Sequence, residues 1–118
     1  MKAPAEIHVC VLCGNGAKLA LALEPAIAEM GCSLRRIDCL GGCARHAMAS
    51  FANAGRWGWM FGNLTPADAP DLIALCRLWL QSPDGLVAKT LRPPRLGDRI
   101  LGHMPPCTQI PVHKGEIT

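Results

Sequence analysis

The sequence predicts a small α/β protein in which one mixed sheet carries two helices, in the order β-α-β-β-β-α. Three patterns predict it: two strand-like segments that flank a helical repeat of apolar residues, a turn between two short apolar runs, and a second helical repeat further along. A chain of 118 residues, 50% of them hydrophobic, can bury one core but not two. We therefore expect a single domain over residues 1–106 and a flexible tail over 107–118.

The first three elements are predicted as a β-α-β unit. Residues 7–11 alternate apolar with polar or small side chains, which is typical of a strand, and 34–38 predict a second strand. Between them, residues 19–30 repeat apolar side chains at helical spacing, with Pro25 expected to kink the helix and Gly31 to end it. Because a helix connects them, the two strands should be parallel, with the loops that follow them side by side.

The second half of the chain predicts a hairpin and a helix. Two short apolar runs, 48–52 and 57–61, are separated by Asn-Ala-Gly-Arg, which is typical of a hairpin. A helix is expected over 71–80, because Asp68 and Asp71 have capping-box spacing and Pro70 disfavours a start at Thr65. From residue 86 onward the chain is rich in proline and lacks a sustained period, so we expect it to lie over the domain and fray past Pro106.

Composition excludes several classes of function. The net charge of +3 is modest, and no basic run interleaved with aromatic residues suggests nucleic-acid binding. The N-terminus lacks a signal-peptide pattern and no segment is apolar enough to span a bilayer, so we expect a cytoplasmic protein without a membrane partner. Tyrosine is absent and Phe and Trp are few, which predicts a core of aliphatic residues and cysteine.

Seven cysteines are a large excess for this length. Without a signal peptide, they favour metal or redox chemistry over a disulfide framework. Three of them fall outside the expected site. Cys76 lies on the apolar stripe of the last helix, Cys32 lies at the far end of the second strand from Cys39, and Cys107 lies in the tail as a loose thiol.

The other four cysteines form two pairs at matching positions. Cys10 and Cys13 follow the first strand, and Cys39 and Cys43 follow the second. If the strands are parallel neighbours, the four thiolates can converge, and soft thiolate ligands favour an iron-sulfur cluster, zinc or cuprous copper. His46 is near the pairs in sequence, but four thiolates already complete such a site, so a surface role is expected for it.

Glycines beside the cysteines favour a cluster over a structural zinc. Small residues let the backbone turn close to the sulfurs and present N–H groups to them, which stabilises a reduced cluster. Zinc knuckles also usually repeat C-x-x-C, whereas the second pair here is C-x-x-x-C. The glycines concerned are Gly14, Gly16, Gly41 and Gly42.

The pattern resembles the thioredoxin-like ferredoxins, which carry a 2Fe-2S cluster with one cysteine pair on each of the same two loops. It is closest to DUF1636, a bacterial predicted metal-binding family. That resemblance covers roughly residues 7–106. It rests on Asp38-Cys39-Leu40, Gly55-Arg56-Trp57, Phe61-Gly62-Asn63-Leu64 and Ser82-Pro83-Asp84-Gly85-Leu86. Many members place a further cysteine where this chain has Ala47, which argues against an obligatory ligand there.

The resemblance implies a thioredoxin-like fold and a one-electron carrier rather than an enzyme, with a [2Fe-2S] cluster bound by Cys10, Cys13, Cys39 and Cys43. Family members are often found near cobalamin-synthesis functions, which implies a redox or metal-handling partner protein there. Thioredoxin-like ferredoxins are often homodimers, and exposed apolar residues on the Trp57–Trp59 hairpin are expected to serve that contact. The expected docking face is formed by Val11, Leu12, Leu40, Arg45 and His46.

Two other readings of the cysteines stay open. A zinc or cuprous-ion binding module would use the same four cysteines and would be colourless. A dithiol oxidoreductase would need only Cys10 and Cys13, with a nucleophile whose pKa is depressed at a helix N-terminus, and it would leave Cys39 and Cys43 without a role.

Overall fold

The computed structural model describes residues 5–12, 15–38 and 47–106. Within these ranges the chain forms two α-helices and one five-stranded mixed sheet, consistent with the predicted thioredoxin-like arrangement. The predicted tail, 107–118, lies outside the described residues. The elements are β1 (Glu6–Cys10), α1 (Gly16–Glu29), β2 (Ser33–Ile37), β3 (Ala47–Ala52), β4 (Gly58–Leu64), α2 (Ala69–Gln81) and β5 (Ile100–Met104).

The sheet has the strand order β2-β1-β3-β4-β5. β1 and β2 are parallel, as the intervening helix predicts, and the remaining neighbours are antiparallel. Because side chains alternate along a strand, Ile7 and Val9 of β1 join the hydrophobic core, whereas His8 lies on the other face and hydrogen bonds Ser50 of β3. Helix α1 contacts α2 as well as β1, β2 and β3.

Four aromatic residues form the centre of the core, contrary to the aliphatic core expected from composition. Trp59, Trp79, Phe51 and Phe61 are all fully buried. The ring of Phe51 lies 4.9 Å from that of Phe61 and 5.1 Å from that of Trp79, which joins α2 to the sheet. The small number of aromatic residues was a poor guide to the composition of the core, because each aromatic side chain buries a large area.

Helix α1 runs through Pro25 and ends at Glu29, and Gly31, with a φ of 77°, stops the helix as predicted. The N–H of Gly31 bonds the Ala28 carbonyl and the N–H of Cys32 bonds the Ile27 carbonyl, a Schellman ending that leads the chain directly into β2.

Helix α2 begins earlier than predicted. Thr65 and Asp68 form the capping box of a short turn over Pro66–Asp68, and α2 continues from Ala69. Pro70 is compatible with this start because the first residues of a helix have no N–H partner within the helix. The sequence pattern did not indicate the short turn over Pro66–Asp68, which Thr65 caps and which precedes α2.

The segment after residue 86 is more ordered than predicted. Val87 and Leu96 are buried in the core, and Ile100–Met104 forms β5 against β4. His103, within the segment that was expected only to lie over the domain, pairs with Trp59 across these strands. The strand has no apolar alternation to reveal it, because it lies at the sheet edge and includes Gly102 and two side chains that remain exposed.

Among the described residues, neither helix combines the length and the hydropathy needed to cross a bilayer.

Candidate functional site

Cys10 is the one proposed ligand within the described residues. It is the last residue of β1, lies level with Ile37 at the end of β2, and is 1% exposed. The N–H of Val11 bonds the Ile37 carbonyl at 2.9 Å, and the Cys10 thiol donates to the Asp38 carbonyl with Sγ 3.6 Å from the oxygen. The chain therefore leaves both strands at the same end of the sheet, as the β-α-β pattern predicted.

Two of the other three proposed ligands follow these strand ends closely in sequence. Cys13 follows Leu12, and Cys39 follows Asp38, the residue whose carbonyl accepts from Cys10. Cys13, Cys39 and Cys43 themselves lie outside the described residues, so their convergence stays a prediction. Within the described ranges, no three His, Cys, Asp or Glu side chains are close enough together to hold a metal ion.

Gly16 positions the start of α1 against the end of β1. A Cβ atom at this position would overlap the Cys10 carbonyl oxygen and lie 3.1 Å from the Val11 Cα. The close approach is therefore to the Cys10 backbone. Of the four glycines expected near the sulfurs, Gly14, Gly41 and Gly42 lie outside the described residues.

Replacement of Gly16 with alanine is expected to lower the free energy of unfolding by about 2 kcal/mol, because backbone must move to admit the methyl group. Gly102→Ala is the matched control, since a Cβ there meets no atom within 4 Å. Urea unfolding followed by tryptophan fluorescence measures both. Equal stability of Gly16→Ala and the parent protein would contradict the close packing of α1 on Cys10.

Comparison with protein families matches residues 7–106 to DUF1636, a protein family of unknown function. The chain belongs to the DUF1636 family. Comparison with curated proteins and with solved structures found no match. The family match covers every described helix and strand except the first residue of β1.

In this DUF1636 protein, two of the segments that carry the family resemblance hold the fold together. The Trp59 indole N–H donates to the Gly85 carbonyl at 2.7 Å, and the Trp79 indole N–H donates to the Trp57 carbonyl at 2.8 Å. Gly85 has a φ of 85°, and a Cβ there would lie 2.7 Å from the Trp57 nitrogen. Arg56 donates to the carbonyls of Leu80 and Ser82 at the end of α2.

These contacts join the β3–β4 hairpin to the loop that follows α2. The expectation of exposed apolar residues on this hairpin is wrong for its two tryptophans, because Trp59 is fully buried and Trp57 is half-buried. The residues at 55–57 and 82–86 therefore serve the fold through backbone and indole hydrogen bonds.

Cys32 and Cys76 are both buried free thiols. Burial raises the pKa of both, most strongly for Cys76, so neither is a reactive thiolate at neutral pH. Cys76 belongs to the core, as predicted. Cys32 precedes Ser33, which pairs with Glu6 at the opposite end of β1 from Cys10, and this confirms that Cys32 is too distant to share a site with Cys10.

Asp68 is the centre of a polar cluster that the sequence did not predict. Its carboxylate is fully buried and accepts from Arg95 Nε at 2.7 Å, from Arg99 Nε at 2.9 Å and from the Thr65 N–H at 2.8 Å. Burial by itself raises the pKa of Asp68, but the hydrogen bonds from Arg95, Thr65 and Arg99 outweigh it and leave the pKa lowered. The capping pattern pointed to Asp68, but its arginine partners are 27 and 31 residues away.

The predicted docking face is described in part. Leu12, two residues after the end of β1, is 74% exposed, whereas Val11 packs against the core. Leu40, Arg45 and His46 lie outside the described residues. On the opposite face of β1, the ring of His8 hydrogen bonds both Ser50 and Glu6.

Proposed function

We propose that this DUF1636 protein is a one-electron carrier that binds a [2Fe-2S] cluster through Cys10, Cys13, Cys39 and Cys43. The observation that carries the proposal is the contact between the Cys10 thiol and the Asp38 carbonyl, because the residue after Asp38 is Cys39. It supports an arrangement in which one member of each cysteine pair starts from the same end of the sheet. Four thiolates are the ligand set that such clusters most often use.

The properties of Cys10 suit a ligand better than an attacking thiol. A dithiol oxidoreductase needs a thiolate that a disulfide substrate can reach, whereas Cys10 is 1% exposed and its thiol is directed to a backbone carbonyl. A ligand can be buried, because the metal needs no approach by a substrate. Ligation would require loss of the Cys10 proton and of its bond to Asp38.

When bound, the cluster would accept and release one electron. The chain would hold the sulfurs on two strand ends that pair with each other, so that little rearrangement accompanies the change in charge. Leu12, exposed beside Cys10, would form part of a face on which a redox partner protein docks. Such encounters are weak and depend on salt. The link of that partner to cobalamin synthesis belongs to the same proposal.

The test is a visible and EPR spectrum of the full chain purified without oxygen, before and after dithionite, with iron, sulfide and zinc counted. We expect two irons and two sulfides per chain, visible bands, and an EPR signal only after reduction. Cys39→Ser, Cys43→Ser and Cys13→Ser should each lose most of the visible absorbance. Cys32→Ser is the matched control, because Cys32 lies before β2 whereas Cys39 lies after it, and it should keep the bands.

Two results would overturn the proposal. One is a folded, colourless protein with one zinc per chain, which would assign the same cysteines to a zinc site. The other is a coloured protein whose iron content is unchanged in Cys39→Ser and Cys43→Ser.

A further inference from the structure

A cavity of about 290 Å³ lies at the edge of the molecule where the chain enters β5. Its volume is close to the lower limit for small-ligand pockets. In the sheet, β3 and β4 lie between β1, which ends at Cys10, and β5, so the cavity is separate from the proposed cluster site. It is lined by Lys89, Arg92, Pro93, Pro94, Gly97 and Ile100.

Arg92 is held in one orientation at this cavity. Its Nε donates to the Val87 carbonyl at 2.9 Å, and its guanidinium carbon lies 4.8 Å from the centre of the Trp59 ring. Trp59 is itself buried and anchored to the Gly85 carbonyl. The terminal amino groups of Arg92 bond no other residue in the described part of the chain. A fixed planar guanidinium with free amino groups matches the two oxygens of a carboxylate or phosphate.

The local charge is unbalanced at the cavity and balanced beside it. Arg95 and Arg99 share the buried carboxylate of Asp68, and Arg99 also pairs with Asp98. Lys89 and Arg92, in contrast, form no ion pair within the residues that the structure describes. The cavity wall therefore has two cationic groups, with apolar surface from Pro93, Pro94 and Ile100.

The adjacent histidine adds unused hydrogen-bonding capacity. The ring of His103 lies edge-on to Trp59 with 4.1 Å between ring centres, and its buried Nε2 has no hydrogen-bond partner among the described residues. Burial, and then the charge of Arg92, lower the pKa of His103, which keeps the ring neutral.

We propose that this cavity binds a small organic oxyanion, with the carboxylate or phosphate group on Arg92 and Lys89 and the apolar portion against Pro93, Pro94 and Ile100. Arg92 supplies directed donors, whereas exposed Lys89 supplies a point charge. The rigid support of Trp59 lowers the entropy lost on binding, because the guanidinium is already placed.

Phenyl phosphate and benzoate are suitable probes because they share a ring and differ in the anion, and benzyl alcohol is their neutral control. Binding is followed at constant ionic strength by ¹⁵N NMR, using the Arg92 Nε–H and Trp59 indole signals. We expect at least one of the two anions to shift both signals with saturation, and benzyl alcohol to bind at least tenfold more weakly. Tighter binding of phenyl phosphate would indicate a phosphorylated ligand, and tighter binding of benzoate would indicate a carboxylic acid.

Variants locate the site. Arg92→Lys should weaken binding by about tenfold, because it keeps the charge and loses the planar pair of donors. Lys89→Gln should weaken binding severalfold. The matched controls are Arg35→Gln, at the opposite edge of the sheet where Arg35 pairs with Glu6, and Lys18→Gln on α1, and both should bind as the parent does.

Three outcomes overturn the inference: no saturable shift with either anion, equal binding of benzyl alcohol, or an equal loss of affinity in Arg35→Gln and Lys89→Gln, each of which removes one positive charge. The last would assign the effect to net charge. If Arg92→Lys fails to fold, Lys89→Gln against Lys18→Gln decides the question. The measurement can be repeated on Cys39→Ser, so its result is independent of the cluster.

Discussion

Trp59→Ala is expected to lower the free energy of unfolding by about 4 kcal/mol, a large part of the stability of a domain of this size. The indole is fully buried, stacks on Phe61 with 6.2 Å between ring centres, and supports Arg92. Its removal leaves a cavity in the core and leaves the Gly85 carbonyl without its donor. The loop after α2 should therefore detach from the hairpin as the core loosens.

Trp57→Ala is the matched control for this experiment. Trp57 is half-buried, and its bonds to the loop and to Trp79 are made by its backbone N–H and carbonyl, which the substitution keeps. It should cost about 1–2 kcal/mol. Urea unfolding followed by far-UV circular dichroism compares the two without relying on tryptophan fluorescence. Equal losses from both variants would contradict the anchoring role of the Trp59 indole.

Trp59→Phe separates packing from hydrogen bonding. Phenylalanine keeps an aromatic ring in the core but has no N–H for the Gly85 carbonyl. We expect it to retain much of the stability that Trp59→Ala loses and still cost about 1–3 kcal/mol for the unpaired carbonyl and the smaller ring.

Asp68→Asn is expected to cost about 3 kcal/mol at pH 7, because it leaves Arg95 and Arg99 without the carboxylate that both contact and changes the acceptor at the Thr65 N–H. Asp71→Asn is the matched control. It removes the same charge one turn along, from a half-exposed carboxylate that is 3.9 Å from Arg95, and should cost less than about 1 kcal/mol.

The unfolding free energies of the parent protein and of Asp68→Asn should depend differently on pH. The pKa of Asp68 is lowered below its ordinary value of 3.8 in the folded state, so the unfolded chain takes up its proton first as the pH falls. The stabilisation by Asp68 is fully present above that ordinary value and is lost as the pH falls through the folded pKa. The difference in unfolding free energy between the parent and Asp68→Asn should therefore be constant from pH 7 to about 5 and shrink below about 4.

Urea unfolding at intervals from pH 7 to pH 3 measures this difference. A gap that stays constant down to pH 3 would mean that Asp68 ionises equally in the folded and unfolded states. A gap that shrinks already between pH 7 and 5 would assign the linkage to a group other than this carboxylate.

Local patterns were sufficient for most of the architecture. The helical repeats predicted α1 and α2, the Asn-Ala-Gly-Arg turn predicted the hairpin, and the alternation in 7–11 predicted β1, because each signal lies within a few residues and reflects one buried face. β5 was not predicted, because an edge strand with Gly102 and exposed side chains needs no apolar alternation. The start of α2 was predicted too late, because the two candidate caps, Thr65 and Asp68, differ only in their tertiary surroundings.

Part of the candidate site was likewise predictable from local patterns, and part was not. The sequence indicated that the ends of the first two strands would be side by side, and the pairing of Cys10 with Ile37 confirms it. It also placed Cys32 at the far end of β2 and Cys76 on the buried stripe of α2, and the structure confirms both positions. It did not indicate Arg92 over Trp59, because nothing in the proline-rich segment marks a cation that packs on a ring 33 positions earlier.

The sequence by itself determined most of the segments that become strands and helices, the common end of the sheet at which β1 and β2 finish, and membership of the DUF1636 family. These depend on periodicity and spacing within a local stretch of chain. Only the tertiary structure decided that Asp68 joins two distant arginines, that Trp59 and Gly85 lock the hairpin to the loop after α2, and that Arg92 faces a cavity. Those arrangements join residues far apart in the chain, and their strength comes from burial, which exists only once the core has formed.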